Sequence, residues 1–400
     1  MQPFVGSKIA TVHLKKREDL RLQGGHLWVF SNELASVQHA DEGTLLANCF
    51  SAAGEFLGSA FYSPHSLISC RLLDRSVRCE QLSREWLERR IRNAVDLRRR
   101  IFPSESCVRW VFGESDGLPG IIIDRYDNTA VLQTFCAGAD ALLPRIAEIL
   151  VESFGIDAVV EKNESIQREH EELERRRRVL EGKQPAVREI TELGIRYLVD
   201  LWEGQKTGYF LDQKVNRWIT RRISHGAHVL DCYSNIGGFS LNAIRGEAIR
   251  VITVDISRTV LQLAEQSAQL NGWRDRLGTV EADVFDFLQG EQAKGANFDL
   301  VILDPPSFTK SRKGVPTARR AYVKLNTLGM SVLRSGGLLI SASCSHHITE
   351  ETFQECVRQA ARRAGRTAQQ LAVLTQSPDH PFLPAMPETK YLKGGLYRVV

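Results

Sequence analysis

Apolar positions change their spacing along the chain, and each change marks a different kind of element. Residues 8–75 carry short β-branched and aromatic runs at 9–14, 26–30, 44–50, 55–62 and 66–73, broken by turn residues. That pattern predicts a small β-rich domain. From Ser83 to Ile101, apolar Trp86, Leu87, Ile91, Ala94, Val95 and Leu97 recur at helical spacing among arginines. An amphipathic helix there opens a second unit. The unit continues through a strand at 109–112, a glycine-rich turn over 113–120, strands at 121–124 and 130–135, and a helix over 141–154. Residues 164–182, dense in Glu and Arg, predict a charged helix or mobile connector with little core.

After Pro185 a hairpin at 187–191 and 196–201 leads into a stretch that alternates strand and helix. Its candidate strands are 228–233, 251–255, 279–282, 298–304, 337–343, 370–375 and 396–400, with helical patterns such as 260–271 between most of them. This is the pattern of a doubly wound α/β sheet. The expected division is a β-rich domain over 1–77, a central α+β domain with the charged linker over 78–185, and an α/β domain over 186–400. A length of 400 residues agrees with two or three domains.

Composition narrows the class. With 43% hydrophobic and 25% charged residues the chain is an ordinary globular protein rather than a disordered one. No run approaches the length of a membrane span, and the first residues lack the apolar core of a secretory signal, so a cytoplasmic location is expected. Eight cysteines without a C-x-x-C pair point to neither a zinc ribbon nor an iron–sulfur site, and no metal is expected. The net charge of +4 is mild, but its distribution is uneven. Arg84, Arg89, Arg90, Arg92, Arg98, Arg99, Arg100 and Arg109 crowd one segment, either as a solvated helix face or as phosphate contacts. Lys310, Arg312, Lys313, Arg319 and Arg320 form a second cluster beside the chemistry described next.

Three strand-end motifs carry that chemistry. Asp304-Pro305-Pro306-Ser307-Phe308 and Ser341-Ala342-Ser343-Cys344-Ser345 each close an apolar run, and in an open parallel sheet such ends share one crevice. Upstream, Val229 to Phe239 form a loop containing Gly237 and Gly238, glycines that let a ligand approach the backbone. Asp231, Asp255 and Asp283 end three successive strands, and no P-loop lysine accompanies them. These acids fit an adenosine-bearing cofactor without phosphates: Asp255 for the ribose hydroxyls, Asp283 for the adenine amine. Each alone could be a helix cap. A lone cysteine after a strand is commonly core, yet Cys344 follows the strand next after Asp304. A thiolate adding to carbon 6 of a pyrimidine makes carbon 5 nucleophilic, and an acid near N3 stabilises the charge that develops.

On these motifs the chain resembles the class I S-adenosylmethionine-dependent methyltransferases that form 5-methylcytidine in bacterial large-subunit (23S) ribosomal RNA. The resemblance extends to His26-Leu27-Trp28-Val29-Phe30, to residues 113–120 and 206–213, and to Tyr391-Leu392-Lys393-Gly394-Gly395. It implies a Rossmann-like C-terminal sheet preceded by an RNA-binding PUA-like domain. It also implies a nucleophilic Cys344 with Asp304 as its catalytic partner. S-adenosyl-L-methionine would lie against Phe210, Gln213, Asp231, Tyr233, Asn235, Gly237, Gly238, Asp255 and Asp283. The partner would be 23S rRNA or a large-subunit precursor, bound by a monomer or homodimer. Ser307 stands where other RNA cytosine-C5 methyltransferases carry a second, product-releasing cysteine, and Asn235 stands where threonine is usual. Two alternatives remain: a base-nitrogen RNA methyltransferase of related fold, and a non-catalytic RNA-binding ribosome-assembly factor.

Overall fold

A computed structural model describes residues 8–400. The chain divides into two compact units. One runs to Ala186 and adds 200–209 and 378–390, while the other comprises 187–199, 210–377 and 391–400. Two short excursions of the C-terminal half therefore belong to the N-terminal unit, which no local pattern announces. No helix among the described residues is long and apolar enough to cross a membrane.

The first unit holds two sheets. In the six-stranded one, Ile9–Leu14 buries alternate residues Ala10, Val12 and Leu14, the period of a half-buried strand. Its edge strand Leu34–Gln38 buries no residue fully and lies outside the predicted runs. The five-stranded sheet is ordered Arg176–Glu181, Ala158–Asn163, Thr129–Thr134, Ile121–Tyr126, Cys107–Phe112. Helices Arg84–Ile101 and Leu143–Phe154 cover it with apolar faces that include Leu87, Ile91, Ile146 and Leu150. One core joins the sheets: Leu46, Phe61 and Leu73 pack in the same cluster as Trp110, Ile121 and Leu132. A Cβ on Gly138 would drive into the Phe61 ring, so small size at that position sets the spacing.

Two expectations need correction here. Residues 164–182 are neither a charged helix nor a mobile connector: they form a short 3-10 turn, Ile166–Glu171, and the edge strand Arg176–Glu181. Their charges are used internally. Arg168 is fully buried and donates to Thr134 O and to Asp140 at 2.8 and 2.9 Å, while buried Glu161 accepts from Arg176 and Arg178 at 2.7 and 2.5 Å. A charge run reads as solvated only while its partners, far along the chain, are unknown. Part of the arginine cluster behaves similarly, while Arg89, Arg92, Arg99 and Arg100 stand on the solvated helix face. Arg98 is clamped on Asp116 at 2.5 and 2.8 Å and Arg109 on Asp124 at 2.7 and 2.6 Å, both buried, and Arg90 pairs with Asp74 at 3.0 Å. These arginines hold the unit together.

The second unit is built on seven strands: β1 His228–Cys232, β2 Arg250–Asp255, β3 Leu277–Glu281, β4 Phe298–Leu303, β5 Leu333–Ser343, β6 Ala368–Thr375 and β7 Lys393–Val399. Their order is β3-β2-β1-β4-β5-β7-β6, with β7 antiparallel to both neighbours and β1 to β5 parallel. Helices α1 Lys214–Ile223, α2 Gly238–Arg245, α3 Arg258–Leu270, α4 Val284–Ala293, α5 Val315–Ser331 and α6 Glu350–Arg363 make the connections. Burial on both faces explains why β1 and β4 read as near-continuous apolar runs. The strand order reverses between β1 and β4, which opens a crevice at their carboxyl ends. Registers Cys232 with Leu303 and Leu303 with Ser341 bring the three motif-bearing strand ends level.

Candidate active site

The loop after β1 is held in an uncommon conformation. Tyr233, Asn235 and Gly237 all have positive φ, at 59°, 50° and 77°. Non-glycine residues rarely adopt that region, and strain of this kind gathers at functional sites. Asp255 locks the loop: its Oδ2 accepts from Asn235 N at 2.9 Å and its Oδ1 from Ser257 N at 3.0 Å. Gly237 is required twice, by its φ and because a Cβ there would sit 3.1 Å from the Ala264 Cβ on α3. Behind the loop Asp231 is fully buried, and its Oδ2 accepts from Ser240 N and Oγ at 3.0 and 2.6 Å. Its Oδ1 is buried with no hydrogen-bond partner. Burial pushes this carboxyl up to about 7, and the nearby charges of Asp304 and Asp255 add to the rise.

The other candidates fall around this centre. Asp283 is exposed after β3 and caps α4 through Oδ1, accepting from Phe285 N at 2.8 Å and Asp286 N at 3.2 Å. Tyr233 is half-buried, and its hydroxyl is raised above the usual range by burial, with Asp283 among the nearby charges. Phe210 and Gln213 precede α1: the Phe210 carbonyl accepts from Arg217 at 2.8 Å, and buried Gln213 accepts from Asn216 at 2.6 Å. Gly238 opens α2 and is buried. Cys232 is completely buried and its thiol is pushed well up by desolvation, an inert core residue.

Asp304 and Cys344 end adjacent parallel strands and are both half-buried. Serine and tyrosine hydroxyls tie their two loops together. Ser343 Oγ donates to Tyr322 OH at 2.8 Å, Tyr322 OH meets Ser345 Oγ at 2.8 Å, and Ser345 Oγ meets Ser307 Oγ at 3.1 Å. Phe308 N also donates to Ser345 Oγ at 3.2 Å. Burial raises the Tyr322 hydroxyl to about 12, and both Cys344 and Asp304 lie near enough to contribute. From β7, buried Lys393 donates to the carbonyls of Ser345 and Ile348, each at 2.7 Å, and so pins the turn after Cys344.

Comparison with known proteins gives this architecture a family. The S-adenosylmethionine-dependent methyltransferase family model matches residues 162–396, and a PUA-like domain model matches 12–75. A ribosomal RNA large subunit methyltransferase I of Alteromonas mediterranea is 37% identical over 96% of this chain and 98% of its own length. Its namesake in Vibrio cholerae is 36% identical over 97% and 99%. The chain belongs to the ribosomal RNA large subunit methyltransferase I family. A solved methyltransferase in complex with SAH superposes with TM-score 0.84 over 97% of this chain and 99% of that one, at 21% identity. One from Streptococcus mutans gives 0.82 over the same shares. At that identity the likeness speaks for the fold.

This methyltransferase uses S-adenosylmethionine, and its crevice suits a cation that donates hydrogen bonds. The β1, β2, β3 and β4 ends supply Asp231, Asp255, Asp283 and Asp304, and the orphaned Asp231 Oδ1 wants a donor. Tyr322, Ser343 and Lys393 were missing from the sequence-derived candidates. Lys393 does lie in the 391–395 segment that carried the family resemblance, but nothing there signals its contact with residues 345 and 348. Tyr322 lies within a helix and carries no strand-end signal.

Proposed function

We propose that this methyltransferase modifies carbon 5 of a cytidine in large-subunit ribosomal RNA through a covalent bond between Cys344 Sγ and carbon 6. One observation carries the reading: a cysteine and an acid end adjacent strands of the cofactor sheet, in loops cross-linked by Tyr322, Ser345 and Ser307. The names of the full-length relatives supply the RNA class.

The Cys344 thiolate adds to carbon 6, and the carbon 5–carbon 6 π electrons shift through carbon 4 toward N3 to leave an enamine-like ring nucleophilic at carbon 5. Asp304 near N3 and the exocyclic amine would stabilise the developing charge. When bound, S-adenosylmethionine would supply the electrophilic methyl group that carbon 5 takes, with S-adenosylhomocysteine as the leaving thioether. Loss of the carbon 5 proton then returns electrons to the ring double bond and expels Cys344 as thiolate. Ser307 cannot supply the releasing thiol found in enzymes with two cysteines, so the proton leaves to another base or to water. Lys393 fixes a buried cation in the turn after Cys344, where positive potential favours the thiolate. Asp231 and Asp283 would hold the cofactor's amino group and adenine amine, and Asp255 its ribose. Phe210, Gln213, Tyr233, Asn235, Gly237 and Gly238 would line the same site. Exposed Lys310, Arg312, Lys313, Arg319 and Arg320 follow the Asp304 motif and would meet RNA phosphates. We place the enzyme in the cytoplasm with its ribosomal substrate.

RNA carrying 5-fluorocytidine at the target should become covalently trapped, because fluorine cannot leave as the proton does. Cys344→Ala should lose both methylation and trapping while keeping cofactor affinity, and Cys232→Ala should retain activity. Robust methylation by Cys344→Ala would overturn the carbon-5 chemistry in favour of transfer to a base nitrogen.

A further inference from the structure

Two sequence motifs have no part in the crevice chemistry, residues 26–30 and 113–120. They meet in one place. Within the first unit, Trp28, Phe112, Gly113, Glu114, Phe135 and Glu388 line a cavity of about 110 Å³ closed beneath by Ile121 and Ile122. Drug-sized sites run to several hundred Å³, so this one suits a single ring.

Its chemistry is specific. Trp28, Phe112 and Phe135 supply aromatic surface, while Glu114 and Glu388 supply the polar side. Glu114 Oε1 is aimed by Trp28, whose indole Nε1 donates to it at 2.8 Å. Arg71 backs the same ring with its guanidinium 5.4 Å from the centroid and lies 3.5 Å from the same Glu114 oxygen. Glu388 Oε2 is buried and accepts no hydrogen bond, and the His26 ring Nε2 lies 3.5 Å from it. Arg71 offsets part of the charge on Glu114, while the unsatisfied Glu388 oxygen rewards a donor and disfavours phosphate. A nucleobase has a stackable face, and cytosine, adenine and guanine each add an exocyclic amine that a glutamate accepts.

We propose that this cavity captures one unstacked, amine-bearing base of the RNA substrate, away from the methylated nucleotide. The inference rests on the reading that RNA is the substrate but not on the covalent chemistry. It gives the first unit a role in choosing sequence, where basic residues give only affinity.

The test is equilibrium binding of the full-length protein to a ribosomal RNA fragment that it methylates, titrated across salt concentrations. Glu388→Gln and Phe135→Leu should each weaken binding roughly fivefold or more, the scale of a lost stacking or base contact. The salt slope should stay constant, since no phosphate contact is removed, and cofactor affinity should not change. In a scan of single abasic sites along the fragment, one position should weaken binding to the parent but not to Phe135→Leu. Unchanged affinity in both variants, a reduced salt slope, or additive losses at every abasic position would overturn the proposal. Free cytidine or adenosine filling the cavity without competing against RNA would also overturn it. Running the assay in a Cys344→Ala background separates this outcome from any failure of the covalent mechanism.

Discussion

Asp231, as the proposed partner of the cofactor's amino group, would couple cofactor binding to pH. Its carboxyl is raised to about 7 by burial, well above its value in an unfolded chain. A raised acid favours the folded state only while protonated. Its contribution is therefore greatest at low pH and is lost as pH climbs from about 4 to 7, at up to about 1.4 kcal/mol per pH unit. The thermal midpoint of cofactor-free protein should fall across that window more steeply than that of Asp231→Asn. A cofactor ammonium prefers the ionised acid, so affinity measured by calorimetry should rise with pH up to about 7 and then level off. A flat profile would separate Asp231 from the cofactor. Lys393 makes a second single-residue case. Lys393→Met removes two donors from the turn after Cys344, and should lower kcat far more than it raises KM for RNA. It should also slow alkylation of Cys344 near neutral pH, whereas Lys393→Arg should restore part of the rate.

At the scale of elements, the β1–α2 loop carries the proposed cofactor contacts, and its geometry depends on one glycine. Gly237→Ala forces an alanine to φ 77° and places its Cβ 3.1 Å from that of Ala264. The left-handed conformation alone costs about 1–2 kcal/mol. A fall in thermal midpoint of roughly 2–8 °C follows for a unit of this size, with weaker cofactor binding because the loop shifts. Unaltered stability in the variant would mean that the loop is softer than its hydrogen bonds to Asp255 imply. The strand Arg176–Glu181 teaches the complementary lesson. Its arginines pair with Glu161 and Asp140 on neighbouring elements, so a segment that is half arginine is still an ordered sheet edge.

For the molecule as a whole, the PUA-like domain is not a detachable RNA-binding module. Leu46, Phe61 and Leu73 belong to the same core as Trp110 and Leu132, and Arg71 is buried against Glu171 at 2.9 Å. Deleting residues 8–75 should therefore destabilise the rest of the first unit, read as loss of cooperative unfolding and lower solubility. A truncated protein that unfolds cooperatively would show that the shared core is dispensable. RNA affinity of the domain is better read from point substitutions on the full chain.

Local patterning by itself determined the α/β sheet of the second unit, because a parallel strand buried on both faces must be apolar and the helices between must alternate. It also singled out the residues of the proposed site, since Asp231, Asp255, Asp283, Asp304 and Cys344 each close or follow such a run. The N-terminal strands were legible from their β-branched and aromatic runs, except the largely exposed edge Leu34–Gln38. Tertiary structure alone decided which charges are structural. Arg98, Arg109 and Arg168 look like solvated cations until their partners at 116, 124 and 140 arrive from other elements. It decided that 200–209 and 378–390 belong to the first unit, and that Tyr322 and Lys393 stand around Cys344. Hydrophobic period records burial of a segment against the core. It carries no record of which distant side chain a buried polar group will meet.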